Sequence, residues 1–355
     1  MPNEEVAIVS SFSPLRETTN GLGISVIKQN PGQDTWKVLQ RLDRQDASWL
    51  TLNPSHQYLY ACYSLRDSAG KVYGRLEAYH IDPVTHLLTL LNQLTVPDGP
   101  AHMTVSPDGK SLLIANYFAG DFVVRALHPD GRIGQITSRL QDHGTGPNAR
   151  QEAAHPHAIV FDQSSDLIGV TDLGNDTISL LKLTNGQLSR VATLTVPAGT
   201  GPRHLVFSPT HPLLYVIGEL SGRLLTIAYD RAAGKLGSIV QDLLAAPADY
   251  QGPQSGAEIR LHPNQKVLYT SNRGPHALMT YHIAPTTGKL TLLATTTAAM
   301  TNPTGFTLNP QGTALYVPNN SGQGIVTFDL DPVSGTVADQ RQPISLTAPN
   351  VMVFI

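Results

Sequence analysis

Two arginines stand beside predicted β-strands, where their side chains could hold an anion. Arg203 lies two positions before the apolar run Leu205–Phe207, and Arg273 follows another strand-like run. A guanidinium group can bind a phosphate or a carboxylate through two parallel hydrogen bonds. Either arginine could instead tie neighbouring strands to a carboxylate, but we favour anion binding for both.

One carboxylate and two histidines could supply acid–base chemistry. Glu219 ends a repeated strand motif, and several other copies of that motif end in asparagine, at Asn116, Asn272 and Asn319. A residue that departs from its own repeat indicates a function. His155 and His157 are two positions apart, so they would share one face of an extended strand. Such a pair could ligate a metal, but no third ligand is evident nearby, and we predict no metal site.

Other kinds of chemistry have no support in the sequence. It contains no P-loop, no glycine-rich dinucleotide motif and no Gly-x-Ser-x-Gly motif, so we predict neither a cofactor nor a serine nucleophile. The single cysteine, Cys62, excludes an intramolecular disulfide and a cysteine-based zinc site. It lies in a strand pattern, where a buried thiol is expected.

The charge balance excludes two classes of partner. The 24 basic and 27 acidic residues give a net charge of −3, whereas nucleic-acid binding and polybasic membrane docking require a basic excess. No apolar stretch is long enough to span a membrane. The N-terminus, Met-Pro-Asn-Glu-Glu, lacks the basic start of a secretory signal. These features predict a soluble cytoplasmic protein.

The elements that must position these residues form an internal repeat. Each copy contains a short apolar strand, a turn rich in Pro, Asp, Asn and Gly, and a second strand, as in HMTVSPDGKSLLIANY (His102–Tyr117). Six copies are visible, with steps of 53, 56, 46, 54 and 47 between the turn residues Pro54, Pro107, Gln163, Pro209, Pro263 and Pro310. A period of about 50 residues, with two further strand-like runs in each copy, is that of a four-stranded propeller blade.

The chain termini supply a seventh copy. Val6–Phe12 resembles a second strand without its first, and Pro349–Ile355 resembles a first strand without its turn. We therefore predict an all-β fold, a seven-bladed β-propeller of four-stranded antiparallel blades in one domain over residues 1–355. The N- and C-terminal strands would share one blade and close the ring, which removes the unpaired sheet edges.

The hairpins of this fold would gather the polar residues at one end of the ring. The start of each first strand and the end of each second strand lie at the same end of a hairpin. The opposite end contains plain turns such as Ser-Pro-Asp-Gly, which backbone chemistry explains. The expected mouth therefore holds Arg203, Arg273, Glu219 and His155, with further candidates for substrate contact or support at His157, His204, Asn116, Asp172, Glu258 and Asn272.

These motifs together resemble a known family. Gly201-Pro-Arg-His-Leu-Val-Phe-Ser-Pro209 is followed by Tyr215-Val-Ile-Gly-Glu-Leu220, and both join His155-Pro-His157, Asp172-Leu-Gly174, Asn116-Tyr117 and Ser271-Asn-Arg-Gly274. This ordered set resembles the lactonase-type seven-bladed propellers, which include the propeller form of 6-phosphogluconolactonase and carboxy-muconate cycloisomerase. The resemblance covers essentially the whole chain. It implies acid–base and anion-binding roles for His155, Arg203, Glu219 and Arg273.

The resemblance implies a lactone hydrolase that acts on a phosphorylated sugar δ-lactone, such as 6-phosphogluconolactone, in a sugar-phosphate pathway. Such an enzyme can work without a metal if Arg203 and Arg273 hold the substrate anion, Glu219 or His155 activates water, and a remaining group stabilises the oxyanion. A cycloisomerase and a non-catalytic propeller that binds other proteins are the alternatives. The identity of the base and the oligomeric state, a monomer or a weak homodimer, stay open.

Overall fold

The computed structural model describes residues 4–11, 23–30, 35–43, 47–297, 300–319 and 323–355, and every regular element in these ranges is a β-strand. The strands form seven antiparallel sheets, one for each blade of a propeller. Each blade has one innermost strand, and the innermost strands of most neighbouring blades contact one another around a central channel. The predicted seven-bladed, all-β propeller is therefore confirmed.

The strands have the following bounds. Blade 1 contains β1 (Glu5–Ser11), β2 (Ile24–Gln29), β3 (Trp36–Leu42) and, as its innermost strand, the C-terminal Pro349–Phe354. Blade 2 contains β4 (Trp49–Leu52), β5 (Tyr58–Arg66), β6 (Val72–Ile81) and β7 (Leu88–Val96). Blade 3 contains β8 (Pro100–Val105), β9 (Ser111–Asn116), β10 (Asp121–Leu127) and β11 (Ile133–Gln141). Blade 4 contains β12 (Pro156–Phe161), β13 (Leu167–Asp172), β14 (Thr177–Thr184) and β15 (Gln187–Thr195).

Blade 5 contains β16 (Pro202–Phe207), β17 (Leu213–Gly218), β18 (Arg223–Asp230) and β19 (Lys235–Leu244). Blade 6 contains β20 (Gly256–Leu261), β21 (Val267–Asn272), β22 (Ala277–Ile283) and β23 (Leu290–Thr296). Blade 7 contains β24 (Thr307–Leu308), β25 (Ala314–Pro318) and β26 (Gln323–Leu330). Its outer strand is split into β27 (Val337–Gln340) and β28 (Ile344–Thr347), and both parts pair with β26. The C-terminal strand of blade 1 is β29.

The burial pattern of each strand follows from its place in the blade. Second strands such as β13 and β17 are buried at every position, because both of their faces pack against neighbouring blades. Outer strands such as β15 alternate between exposed and half-buried residues, since one face meets solvent. The core consists of apolar clusters between adjacent blades, and Cys62 is buried in the cluster between blades 2 and 3.

The recurrent Leu-Tyr pair of the second strands has a structural role. In β17 the buried Tyr215 donates a hydrogen bond from its hydroxyl to the carbonyl oxygen of Gly288, a turn residue of the next blade, at 2.6 Å. Tyr60 of β5 bonds to Gly131 in the same way at 3.1 Å. Gly288 has a φ of +66°, which favours glycine at this turn. The repeated tyrosine therefore ties each of these blades to its neighbour.

The two chain termini close the ring as predicted. Strand β29 pairs antiparallel with β1, with Val353 opposite Ile8 and Met352 opposite Val9. Val351 packs in the core between blades 1 and 2, whereas Met352 packs between blades 7 and 1. Strand β1 ends at Ser11, and Phe12 lies outside the described residues.

Candidate active site

A β-bulge at the start of three first strands aims side chains into one mouth of the channel. In β12 Pro156 pairs with Asp172 and Ala158 with Thr171, so His157 is an extra residue in its strand. Arg203 is the extra residue of β16, between the paired Pro202 and His204, and Ala101 occupies the same place in β8. Bulges of this kind often redirect a side chain next to an active site.

Glu219, directly after β17, is the centre of the charged group at this mouth. Its side chain is buried, and its Oε2 accepts a hydrogen bond from Arg203 Nε at 2.9 Å. Its Oε1 lies 2.5 Å from Arg150 Nη1 and 2.9 Å from Arg273 Nη2. Burial alone would raise the pKa of Glu219, but the charges of Arg273 and Arg203 outweigh burial and hold this pKa far below its usual range.

Arg203 is the most enclosed of the three arginines. Besides Glu219, its guanidinium contacts the carbonyl oxygen of Ala257, to which Nη1 donates at 2.7 Å, and His204 Nε2 at 3.2 Å. Burial lowers the pKa of Arg203 to about 10, so the side chain stays positively charged at neutral pH. Its Nη2 has no hydrogen-bond partner among the residues that the structure describes.

Both histidines of His-Pro-His contact the ring of Tyr117, but only His157 lies on the cavity wall, whereas a regular strand would present the two side chains equally. The bulge lies at His157, and His155 precedes β12 altogether. The ring of His155 stacks on Tyr117 at 4.3 Å, and its nitrogens face two acceptors, the Tyr117 carbonyl oxygen at 2.9 Å and Glu152 Oε1 at 3.1 Å. His157 lies on the cavity wall instead, with Nε2 at 3.7 Å from Glu219 Oε2.

His157 is neutral in this environment. Burial, with a contribution from the charge of Arg203, lowers the pKa of its imidazole well below the usual value. Its Nδ1 is buried and has no hydrogen-bond partner in the described part of the chain. The ring therefore retains a lone pair at neutral pH, next to a carboxylate that is ionised.

A layer of rings fills the channel beneath the arginines. His204 lies 5.2 Å from His157 and 5.4 Å from His102, and His102 packs on Trp49 at 4.2 Å. Because Arg203 can only donate, His204 Nε2 must accept and His204 Nδ1 must donate to Glu258 Oε1, at 3.0 Å. Glu258 thus selects the tautomer of His204 that contacts Arg203.

A cavity of about 610 Å³ lies above this layer. The residues on its wall include Tyr117, Phe118, Arg150, Glu152, His157, Arg203, Arg273, Asn302, Thr304 and Asn350. This volume falls within the range of roughly 300–1,000 Å³ that is usual for small-molecule sites. Of the residues expected at the mouth, His157, Arg203 and Arg273 line the cavity directly, and Glu219 lies behind the arginines.

Three other predicted site residues lie at the ends of second strands and away from the cavity wall. Asn116 Nδ2 donates to Asp121 at 2.7 Å. Asp172 Oδ1 accepts hydrogen bonds from the backbone of His155 at 2.7 Å and of Gly174 at 2.8 Å. Asn272 Oδ1 accepts from Ser255 N at 3.0 Å and from Gly274 N at 3.1 Å. The asparagines and aspartate that end the second strands therefore stabilise the turns that follow them, and two of the three also bind the connection that leads into their blade.

Arg150 is the site residue that the strand repeat did not reveal. It lies on the connection between β11 and β12, residues 142–155, which is the longest connection between blades. Its only sequence signal is this length, because the residue belongs to no repeated motif. In the described ranges no group of three or more His, Cys, Asp and Glu side chains is arranged to hold a metal ion.

Comparison with known proteins gives a consistent family match. Residues 7–354 match the family described as "Lactonase, 7-bladed beta-propeller". The chain is 28% identical to a 6-phosphogluconolactonase of Bacillus subtilis, over 82% of this chain and 83% of that protein. It is 30% identical to a 6-phosphogluconolactonase of Formosa agariphila, over 92% of this chain and 93% of the relative.

A solved structure with the same architecture is the periplasmic gluconolactonase of Pseudomonas aeruginosa. It superimposes with a TM-score of 0.90 at 25% identity and covers 99% of both chains. In the part of the present chain that the structure describes, no helix is long and apolar enough to cross a membrane.

Proposed function

Because this chain belongs to the lactonase family of seven-bladed β-propellers and is a lactonase, we propose that it hydrolyses a phosphorylated sugar δ-lactone, 6-phosphogluconolactone in particular. The observation that best supports this substrate is the excess of positive charge on the cavity. Arg150, Arg203 and Arg273 surround the single carboxylate of Glu219, and Glu152 at the rim adds only one more negative charge. This remaining positive charge would attract an anionic ligand, and a phosphate group can accept paired hydrogen bonds from a guanidinium.

In the proposed reaction His157 accepts a proton from the attacking water. The 3.7 Å between His157 Nε2 and Glu219 Oε2 is too long for a hydrogen bond, but it allows one water to contact both atoms. His157 is neutral before the reaction, so its lone pair is available. After proton transfer, the adjacent Glu219 carboxylate would stabilise the imidazolium. The imidazolium would then return the proton to the ring oxygen of the lactone as the acyl C–O bond breaks, which gives the hydroxy acid.

The same geometry argues against the two bases expected from the sequence. Both oxygens of Glu219 are already paired with arginine guanidinium groups, whose charges compete with any proton on the carboxylate. Both ring nitrogens of His155 face acceptors rather than the cavity. We therefore assign Glu219 to the orientation of Arg203 and His157, and His155 to the support of Tyr117.

Arg203 is the proposed donor to the oxyanion that forms on the lactone carbonyl. Its Nε and Nη1 are held by Glu219 and Ala257, which orients the guanidinium before the substrate binds. The remaining Nη2 is then available to the developing charge, and a preoriented donor of this kind needs no rearrangement during the reaction. Arg273, on the same Glu219 oxygen as Arg150, would help to hold the carboxylate of the product.

The test is acid release from 6-phosphogluconolactone with and without the protein, at a mildly acidic pH where spontaneous hydrolysis is slow. We expect acceleration by the wild type and by His128→Asn, an exposed histidine at the other end of blade 3, but not by His157→Asn. Production of a lactone from a carboxy-muconate would identify a cycloisomerase instead. Failure to convert either compound would favour a protein-binding propeller. Sugar phosphates are made inside cells, so this substrate also agrees with the cytoplasmic location expected from the sequence.

A further inference from the structure

Arg150 differs from the other two arginines of the site in the element that carries it and in how exposed its side chain is. Arg203 and Arg273 come from the strand ends of blades 5 and 6, whereas Arg150 comes from the long 142–155 connection before blade 4. We propose that Arg150 is the specificity-determining residue that binds the phosphate group of the substrate. This inference rests on the proposed function, since it assigns one part of the same ligand.

The exposure of the three side chains separates their roles. The side chain of Arg150 is 50% exposed, against 20% for Arg273 and 10% for Arg203. Arg203 has three buried partners that fix it in place. Among the residues that the structure describes, the side chain of Arg150 has only two partners, Glu219 Oε1 at 2.5 Å and the Tyr117 hydroxyl at 3.4 Å. Arg150 can therefore turn towards a ligand in the open part of the cavity without breaking contacts to the backbone.

The backbone beneath Arg150 is held firmly although its side chain is exposed. The neighbouring Gln151 is completely buried, and its amide donates to the carbonyl oxygen of Leu173 at 2.9 Å. Gln151 Oε1 accepts from Asn148 N at 3.1 Å, and Asn148 Oδ1 accepts from Arg150 N at 3.0 Å. The connection thus presents one arginine at the rim from a fixed position, which reduces the entropy lost when a ligand binds.

The charges of the site permit Arg150 to exchange partners. Glu219 keeps Arg203 at 2.9 Å and Arg273 at 2.9 Å when Arg150 leaves it, so the buried carboxylate stays paired. A phosphate offers the guanidinium three acceptor oxygens and more negative charge than one shared carboxylate. Glu219 Oε1 therefore acts as the partner of Arg150 until the phosphate replaces it.

The test compares 6-phosphogluconolactone with glucono-δ-lactone, which lacks the phosphate, on Arg150→Gln, Arg150→Lys and the control Arg223→Gln. Arg223 is 45% exposed and paired with Asp242 at 2.8 Å on the outer strands of blade 5, so it matches Arg150 in exposure and pairing. We expect Arg150→Gln to lower kcat/KM for 6-phosphogluconolactone, relative to kcat/KM for glucono-δ-lactone, by about 10- to 100-fold. The loss should appear mainly in KM, because a charged hydrogen-bonded contact to the substrate is removed. The ratio for Arg150→Lys should lie between those of the wild type and Arg150→Gln, and Arg223→Gln should keep the wild-type ratio.

Equal losses on both lactones would overturn the assignment of Arg150. Calorimetric binding of 6-phosphogluconate and of gluconate separates this inference from the lactonase reaction itself. If the wild type hydrolyses neither lactone yet Arg150→Gln selectively weakens 6-phosphogluconate binding, the proposed substrate fails and the role of Arg150 stands. If 6-phosphogluconate binds equally to wild type and variant, or does not bind at all, the role of Arg150 is refuted whatever the turnover.

Discussion

Glu258→Gln tests how much the ionised carboxylate of Glu258, buried beneath the cavity, contributes to stability. Its neighbours keep this carboxylate ionised although it is buried. Burial alone would raise the pKa of Glu258, but His204 and Arg260 lower it to about 2, against an ordinary 4.5. This difference of about 2.5 in pKa corresponds to about 3 kcal/mol in favour of the folded state at neutral pH. Glutamine keeps the shape of the side chain, and its oxygen can still accept from His204 Nδ1.

The pH dependence of this effect has a defined sign. Because the pKa is lower in the folded than in the unfolded state, the stabilisation is complete above about pH 4.5 and is lost as the pH falls towards 2. Glu258→Gln should therefore lower the free energy of unfolding by about 3 kcal/mol at pH 7, and by progressively less below pH 4.5.

Urea denaturation at pH 7, 5, 4 and 3, followed by tryptophan fluorescence, measures the difference between wild type and variant. The control is Asp166→Asn, an exposed carboxylate whose pair with Lys182 at 3.0 Å should contribute little. A difference that stays constant from pH 7 to pH 3 would refute the argument, as would the absence of any difference at pH 7. In either case the carboxylate of Glu258 would not be held ionised by its neighbours.

Three further changes test separate parts of the argument. His157→Asn should lower kcat by roughly 10²–10⁴ with little change in KM, whereas a larger loss for His155→Asn would return the role of base to His155. Deletion of Pro349–Ile355 should abolish soluble expression or sharply lower Tm, and a truncated chain that melts like the full one would contradict ring closure. Tyr215→Phe leaves the carbonyl oxygen of Gly288 without its donor and should cost about 1 kcal/mol in urea denaturation, and an unchanged stability would show that this contact does not tie the blades together.

The architecture could be predicted from the sequence because the propeller is built from local hairpins. Each blade forms from about 50 consecutive residues, and its strands and turns leave a direct pattern of apolar runs and of Pro, Asp, Asn and Gly. Even the closure by distant termini was predictable, since Pro349–Phe354 repeats the motif of the other first strands. The same local pattern correctly placed Arg203, Glu219 and Arg273 at one mouth.

The choice between the two histidines could not be made in this way. The alternation of faces in a regular strand put His155 and His157 together, but the bulge in β12 inserts one residue and directs only His157 to the cavity. A bulge depends on the pairing of two strands, and the sequence of one strand does not specify it. Similarly, the asparagines at the strand ends bind the turns that follow them, which the motif alone did not distinguish from contact with a substrate.

The sequence by itself therefore determined the repeat, the ring and the end of the ring that holds the charged residues. Only the tertiary structure decided which of these residues are in contact and which of them carry a charge. Arg150 reaches Glu219 across 69 positions of sequence. The proton affinity of Glu219 depends on three arginines from different blades and connections. Strand patterns follow from neighbours along the chain, whereas electrostatic interactions depend on distance and burial in space.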